Sequence, residues 1–438
     1  MNRNINSGIL LWEKAKKMIP GGTQLLSKRS EIFLPNQWPS YFSKAKGVNV
    51  WDLDGNIYID MSIMGVGACI LGYADDDVNA AVHEAIDRAS ISTLNCPEEV
   101  DLAELLLKLH PWAGMVRYTK TGGEAMAVAV RIARAHTGKD AIAFCGYHGW
   151  HDWYLAANLA DNKNLDGQLL PGLDPKGVPR GLRGTALPFN YNNLTELEDI
   201  VGSNDVGVIV MEPIRHHEPK PGFLEGVRKI ANQIGATLIF DEVTSGWRMN
   251  VGGIHLLYNV IPDIVVFGKA MGNGYPMAAI IGKQKVMESA QESFISSTFW
   301  TEGIGLVASI ATIHKCIDKK VQQHLIKIGK NVCDGWEELS KAYDLPLETM
   351  GIPPLTTFRF TSENSQVLHT LFTQEMLNRG FLASKNVYAS YCHSIQHVEK
   401  YLSNAEEVFE IIHQGIEKGN IKSLLKGPVA HEGFKRLT

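Results

Sequence analysis

Residues 263–281 read DIVVFGKAMGNGYPMAAII: a β-branched apolar run, then Gly268 and Lys269, then a glycine-rich turn, then a second apolar run. A short apolar run bounded by Gly and Pro predicts a strand buried on both faces. Lys269 therefore falls just past the carboxyl end of a strand. It is either a surface lysine at a strand end or a buried amine. Burial of an ammonium costs on the order of several kcal/mol unless the group is paired or deprotonated, and one escape is to make it an imine.

Upstream, residues 236–243 read ATLIFDEV, a second buried apolar run closing on Asp241 and Glu242. If both runs are parallel strands of one doubly wound sheet, Asp241 and Lys269 project from the same edge, where such sheets bind ligands. A lysine able to form a Schiff base, with an aspartate that keeps a pyridine nitrogen protonated, is the protein contribution expected of a pyridoxal phosphate (PLP) site.

Strand-like runs alternate with helical patterns from residue 115 to about residue 300, which predicts an α/β fold with a mostly parallel sheet in a large domain. Strands are expected at 115–119, 141–144, 206–211, 237–240, 264–267 and 277–281, with a helix at 124–136. Before this region come a helix at 10–19, a hairpin at 48–61 across Asp54-Gly55, and helices at 76–89 and 100–109. After it the rhythm changes: helical over 303–345, strand 355–360, helix 366–379, strand 381–383, helix 398–417. The expected division is an N-terminal segment (1–65) of a small α+β domain, a large domain (66–310) and a C-terminal part (311–438) that completes the small domain. Residues 161–193, rich in Gly, Pro and Asn, read as a long loop over the site.

The composition narrows the function. A net charge of −5 offers no basic footprint for nucleic acid. The six cysteines are scattered singly, without metal spacing, so neither a disulfide framework nor a metal site is expected. No apolar stretch reaches the roughly 18 residues of a membrane span, and the opening residues lack a signal-peptide core, so the expectation is cytoplasmic.

Further candidates fall at other strand ends. Thr121-Gly122-Gly123-Glu124 lies between a strand and a helix, where freed amides and the helix's positive end suit a phosphate; an ordinary turn would read the same. Residues 146–151, GYHGWH, offer Tyr147 as a ring to stack on a heteroaromatic cofactor, with the imidazoles of His148 and His151 nearby and His148 as a candidate substrate contact; a metal site through Cys145 and His148, or through His148 and His151, lacks further ligands. Glu212 ends another strand on the same rim, and SSTFWT at 296–301 supplies hydroxyls ahead of a helix.

With these motifs in hand, the chain resembles the class III aminotransferases of PLP fold type I, and within them the branch of glutamate-1-semialdehyde aminomutase, which implies a mostly parallel seven-stranded sheet in the large domain. The likeness runs from about Pro20 to about residue 415 and is most specific in KTGGEAMAVAVRIARAHTG, FCGYHGWHD, DEVTSGWR and FGKAMGNGYPMAA. It implies Lys269 as Schiff-base lysine and proton shuttle, Asp241 as partner of the pyridine nitrogen, Val243 beneath the ring and Tyr147 above it. It implies Thr121, Gly122 and Gly123 around the phosphate, and Thr298 reaching the phosphate of a neighbouring subunit, hence a homodimer with a shared site.

The departures lie on the substrate side. The aminomutase's Ser after Pro-Gly-Gly is replaced by Leu25, and its carboxylate-binding Arg becomes Lys28 or shifts to Arg29. Its Gly-flanked Trp falls in IMGVG at 63–67, and its gating Glu falls at Tyr388. These changes beside an intact cofactor site imply the same chemistry on another molecule. The expectation is transfer of an amino group from a donor such as L-glutamate to an aldehyde or ketone. Related chains with a GGTQ opening act on oxidised sugars of bacterial surface polysaccharides, lipopolysaccharide included. An oxo-sugar acid such as the 8-oxo derivative of 3-deoxy-octulosonate, the precursor of its 8-amino-3,8-dideoxy product, would suit Lys28 and Arg29. The alternatives are the aminomutase isomerase itself and a non-catalytic protein that retains the fold.

Overall fold

The computed structural model describes residues 6–161, 163–168, 171–434 and 437. The chain forms two compact units, one of residues 76–322 and one of residues 1–75 with 323–438. The sequence rhythm suggested divisions at 65–66 and 310–311. Residues 1–5 of the expected N-terminal segment, and 435, 436 and 438 of the C-terminal part, lie outside the described residues.

The 76–322 unit is built on a seven-stranded sheet in the order Met115–Thr119, Ala278–Gly282, Ile264–Phe267, Thr237–Glu242, Val206–Met211, Ala141–Cys145, Ala186–Pro188. Ala278–Gly282 is antiparallel to both neighbours and the remaining pairs are parallel. Central strands of such a sheet are covered on both faces, so they are apolar throughout. Val206–Met211 and Thr237–Glu242 are accordingly buried at every position. Glu212, just past the first of these strands, and Asp241, near the end of the second, are thereby delivered to one rim.

The Gly122–Thr137 helix covers one face of this sheet. A reciprocal capping box between Thr121 and Glu124 starts it and Gly138, at φ 69°, ends it. Its Ala125, Met126, Ala129, Ile132 and Ala133 pack into the cluster that holds Ile142, Phe144, Val208, Val210, Ile239 and Val266. The alanines present little bulk toward the sheet, which lets the helix lie close and fixes its amino terminus at the rim.

The expected loop at 161–193 contains an element that the sequence reading missed. Ala186–Pro188 is an edge strand hydrogen-bonded to Ala141–Cys145, and Arg180–Leu182 forms a 3₁₀ turn. A three-residue strand carries no periodicity of its own, and only its neighbour creates it. Of this stretch, residues 162, 169 and 170 lie outside the described residues. Gln168 ties the loop to the rim, its Oε1 accepting from the Gly146 amide at 2.7 Å.

The second unit holds a four-stranded sheet, Phe42–Lys46, Asn49–Asp52, Ile57–Met61 and Phe381–Ala383, so the two chain segments share one sheet. The turn of the expected hairpin is held by Asp52, whose Oδ1 accepts from the amides of Asp54 (2.9 Å) and Asn56 (2.8 Å). A three-stranded antiparallel sheet, Leu347–Met350, Leu355–Phe360 and Asn386–Tyr388, packs with the Ser365–Asn378 and Ile395–Glu417 helices around Phe358, Phe360, Phe372 and Phe409. Among the described residues no helix is long and apolar enough to cross a membrane.

Candidate active site

The rim at the carboxyl ends of the parallel strands gathers Thr121, Tyr147, Glu212, Asp241 and Lys269. Asp241 pairs with Val266 across adjacent parallel strands, so Lys269 follows three residues past Asp241's own neighbour. Lys269 has φ +31°, in the left-handed region, where a side chain is strained and which the following 3₁₀ turn, Lys269–Gly272, holds in place.

The lysine amine donates to Thr244 Oγ1 at 2.7 Å. Burial is the main cause that lowers its pKa, to about 7, and the cations of Arg215 and Arg248 push the same way against Glu212 and Asp241. Near neutrality much of this amine is uncharged, where a solvated lysine would be an ammonium.

Asp241 is 5% exposed. Its Oδ1 accepts from the Val243 amide at 3.0 Å and its Oδ2 from His148 Nδ1 at 2.8 Å. The sequence reading offered His148 as a substrate contact, and the structure corrects this. The ring is buried, and its Nε2 lies 3.1 Å from the Cys145 carbonyl, so both nitrogens are engaged behind Asp241.

Glu212 is bound by Arg215, whose Nη1 lies 3.0 and 3.2 Å from its two oxygens, and its Oε2 also accepts from the Tyr147 amide at 3.2 Å. The Tyr147 ring is half-buried and meets Tyr154 edge-on at 5.9 Å. Val243 is wedged between two glycines: a Cβ on Gly122 would come within 2.7 Å of its Cγ1, and one on Gly268 within 3.3 Å. The helix start, the Val243 side chain and the Lys269 loop are thus in mutual contact.

At that helix start the Thr121 hydroxyl accepts from Glu124 N at 3.4 Å and donates to Glu124 Oε2 at 3.1 Å; the same carboxylate oxygen takes the Thr121 amide. Among the described residues no acceptor sits on the amides of Gly122 and Gly123. Thr298 opens an exposed 3₁₀ turn, Thr298–Thr301. Lys28, Arg29 and Tyr388 belong to the other unit: Lys28 is exposed, the Arg29 guanidinium lies 5.7 Å from the Phe434 ring centre, and the Tyr388 amide donates to the Ser62 carbonyl at 2.7 Å.

Three site residues escaped the sequence reading: Thr244, Arg215 and Arg248. Thr244 and Arg248 lie within the DEVTSGWR run, and Arg215 follows Glu212 by three positions, so proximity to a strand end was the available signal. Arg248, 1% exposed, donates from Nε to the Thr244 carbonyl at 2.7 Å and so braces the residue that holds the lysine.

Residues 35–412 match the family described as aminotransferase class-III. A 3-aminobutyryl-CoA aminotransferase of Cloacimonas acidaminovorans (strain Evry) is 35% identical over 374 residues, covering 83% of this chain and 86% of that protein. A glutamate-1-semialdehyde 2,1-aminomutase of Methanothrix thermoacetophila is 30% identical over 431 residues, covering 94% of this chain and 97% of its own length. Among solved structures, the FumI protein of Sphingopyxis sp. MTA144, in its PLP internal aldimine form, superposes with a TM-score of 0.84 at 24% identity, covering 94% of this chain and 97% of that one. A seven-stranded, mostly parallel sheet with Asp241 and Lys269 on one rim, matched over most of the chain in both sequence and fold, makes this protein a member of the class-III aminotransferases, the PLP-dependent enzymes of fold type I.

Proposed function

We propose that the protein transfers an amino group from a donor, L-glutamate, to the aldehyde or ketone of an oxo-sugar or sugar acid of bacterial surface polysaccharide synthesis, in the cytoplasm. The observation that carries the transamination reading is the Lys269 amine, with its pKa lowered to about 7 and held by Thr244 beside the buried Asp241 carboxylate. The acceptor class rests on the substrate-side residues that depart from the aminomutase, Leu25, Lys28, Arg29 and Tyr388.

The residues present fit PLP. The glycines at 122 and 268 make room for the Val243 side chain between helix start and lysine loop, two amides at the helix end suit an anion, and the Asp241 carboxylate keeps lone pairs beyond those its two contacts use. Lys269 would hold the cofactor covalently, Asp241 its pyridine nitrogen, Val243 and Tyr147 its two faces, and Thr121, Gly122 and Gly123 its phosphate. Thr298 would reach the phosphate of the neighbouring subunit in a homodimer; Phe299 beside it, 67% exposed, supports an apolar face there. When bound, PLP supplies an electron-accepting ring for a carbanion at the substrate carbon.

The protein's own groups supply the proton transfers and the electrostatics. A neutral Lys269 Nζ keeps a lone pair, and as a free amine it takes up and returns the proton of the substrate carbon. Asp241, oriented by the Val243 amide and the His148 ring, stabilises a protonated nitrogen in front of it. Arg215, paired with Glu212 on the same rim, keeps positive charge near the amine and so favours its neutral form.

A second reading, the isomerase, is favoured by relatives named glutamate-1-semialdehyde 2,1-aminomutase that match over nine-tenths of the chain. One experiment separates them. The purified protein is converted to its amino form with a panel of donors, and acceptors are screened for the one that restores the original form. Oxo-sugar acids, acetoacetyl-CoA and glutamate semialdehyde make up the panel. Restoration by an oxo-sugar acid with stoichiometric 2-oxoglutarate release supports the proposal. Conversion of glutamate semialdehyde to 5-aminolevulinate without a donor overturns it.

A further inference from the structure

The amino terminus of the Gly122–Thr137 helix has a side chain lying over it that the helix does not supply. Residue 123 is glycine, yet the space its side chain would take is filled: an ideal Cβ there would stand 3.0 Å from Cε1 and 3.1 Å from Nδ1 of His151. The approach is made possible by Gly149, at φ +103°, where a Cβ would come within 3.3 Å of Gly123 Cα. The His151 ring is backed by Trp150, stacked at 4.4 Å with 24° between planes.

Nδ1 of His151 is buried and has no hydrogen-bond partner among the described residues. Unlike the other unpartnered ring nitrogens, this one stands beside the start of a helix whose first amides also lack acceptors. What surrounds it is donor-rich. The amides of Gly122 and Gly123 have no acceptor among the described residues, and they end a 16-residue helix whose amino terminus is positive. The nearby carboxylate of Glu124 is already occupied, its Oε2 accepting from the amides of Lys120 (3.3 Å) and Thr121 (3.1 Å) and from the Thr121 hydroxyl (3.1 Å). With the ring proton on Nδ1, a tetrahedral oxyanion meets this donor and both amides at once.

We propose that His151 binds the phosphate group of the cofactor, its Nδ1–H filling the role of the side chain that Gly123 lacks. The inference rests on the cofactor reading above and extends it to a residue to which the family resemblance gave no role.

The test measures equilibrium dialysis of PLP and of pyridoxal, which lacks the phosphate, on wild type and two variants. His151→Phe keeps a ring on Trp150 and over Gly123 but removes the donor, and His151→Gln restores a donor. In His151→Phe, PLP affinity should fall at least tenfold with pyridoxal affinity unchanged, and His151→Gln should recover part of the loss. Equal losses for both ligands would mean that His151 only shapes the loop, and wild-type affinity for both would mean that it touches nothing; either result overturns the inference. If the wild type itself holds PLP no better than pyridoxal, the cofactor reading fails first, and this inference with it.

Discussion

Nδ1 of His148 lies 2.8 Å from Oδ2 of Asp241 while its Nε2 lies 3.1 Å from the Cys145 carbonyl oxygen. The ring is thus wedged between the Asp241 carboxylate and the backbone, and it fixes the orientation of that buried carboxylate. Removing His148 leaves the buried Asp241 carboxylate short of a hydrogen-bond partner. His148→Phe should therefore lose about 3 kcal/mol of stability, and adding Asp241→Asn should recover part of it because a neutral amide costs less than a carboxylate to leave short of a partner. Urea unfolding of the two single variants and the double variant measures this. Additive losses would show that the pair is not coupled.

Lys269 gives stability a pH dependence in the cofactor-free protein. Its folded pKa is lowered to about 7 from an ordinary value of 10.5. Between those values the unfolded chain binds more protons, so stability rises with pH across the window and is flat on either side of it. Each tenfold loss of proton affinity on folding costs about 1.4 kcal/mol at neutral pH, so Lys269→Met, which abolishes turnover, should be more stable than wild type there by a few kcal/mol. The advantage should shrink steadily toward pH 10.5. Urea midpoints at several pH values check the trend.

Acid should act through three buried histidines. Burial pushes His110 down to about 4, His369 to about 3 and His393 to about 4, from 6.5. Each is neutral when folded and protonated when unfolded within that window. Their stabilising contribution is complete above pH 6.5 and is lost as pH falls through the window, by about 1.4 kcal/mol per pH unit for each group. Among the described residues His369 has no hydrogen-bond partner on either ring nitrogen, and its ring centre sits 5.0 Å from those of both Phe358 and Phe360. His369→Leu should accordingly reduce the acid slope and raise stability at pH 5.

Gly122 is required by Val243. A methyl on residue 122 would approach Val243 Cγ1 to 2.7 Å, and overpacking of this kind costs about 1–3 kcal/mol. Gly122→Ala should weaken cofactor retention through gel filtration, and Gly122→Ala with Val243→Ala should regain part of it. No rescue in the double variant would mean that the glycine serves another contact.

Arg215 lowers the lysine's pKa through its charge. Arg215→Gln should move the acid limb of the rate profile to higher pH. A limb that stays in place would show that Arg215's charge does not reach the amine.

The apolar runs that make the central strands, and the polar residues that close them, were readable because strand burial on both faces is a local pattern. Asp241, Glu212 and Lys269 fell on one rim as soon as their strands were taken as parallel. The reversed direction of Ala278–Gly282 was not readable, since its apolar content is the same in either direction. His148 was misread because a histidine in a glycine-rich loop carries no mark of whether it faces solvent or turns back onto a carboxylate.

By itself, the sequence determined the alternation of strands and helices, the carboxylate and amine at the strand ends, and the glycines at the helix start, because each follows from periodicity and backbone sterics within a few residues. Only the tertiary structure decided that Thr244 holds the lysine, that His148 stands behind Asp241, and that His151 lies over Gly123. Those facts depend on how loops from different strands pack at one rim, and packing between segments distant in the chain leaves no periodic trace in either.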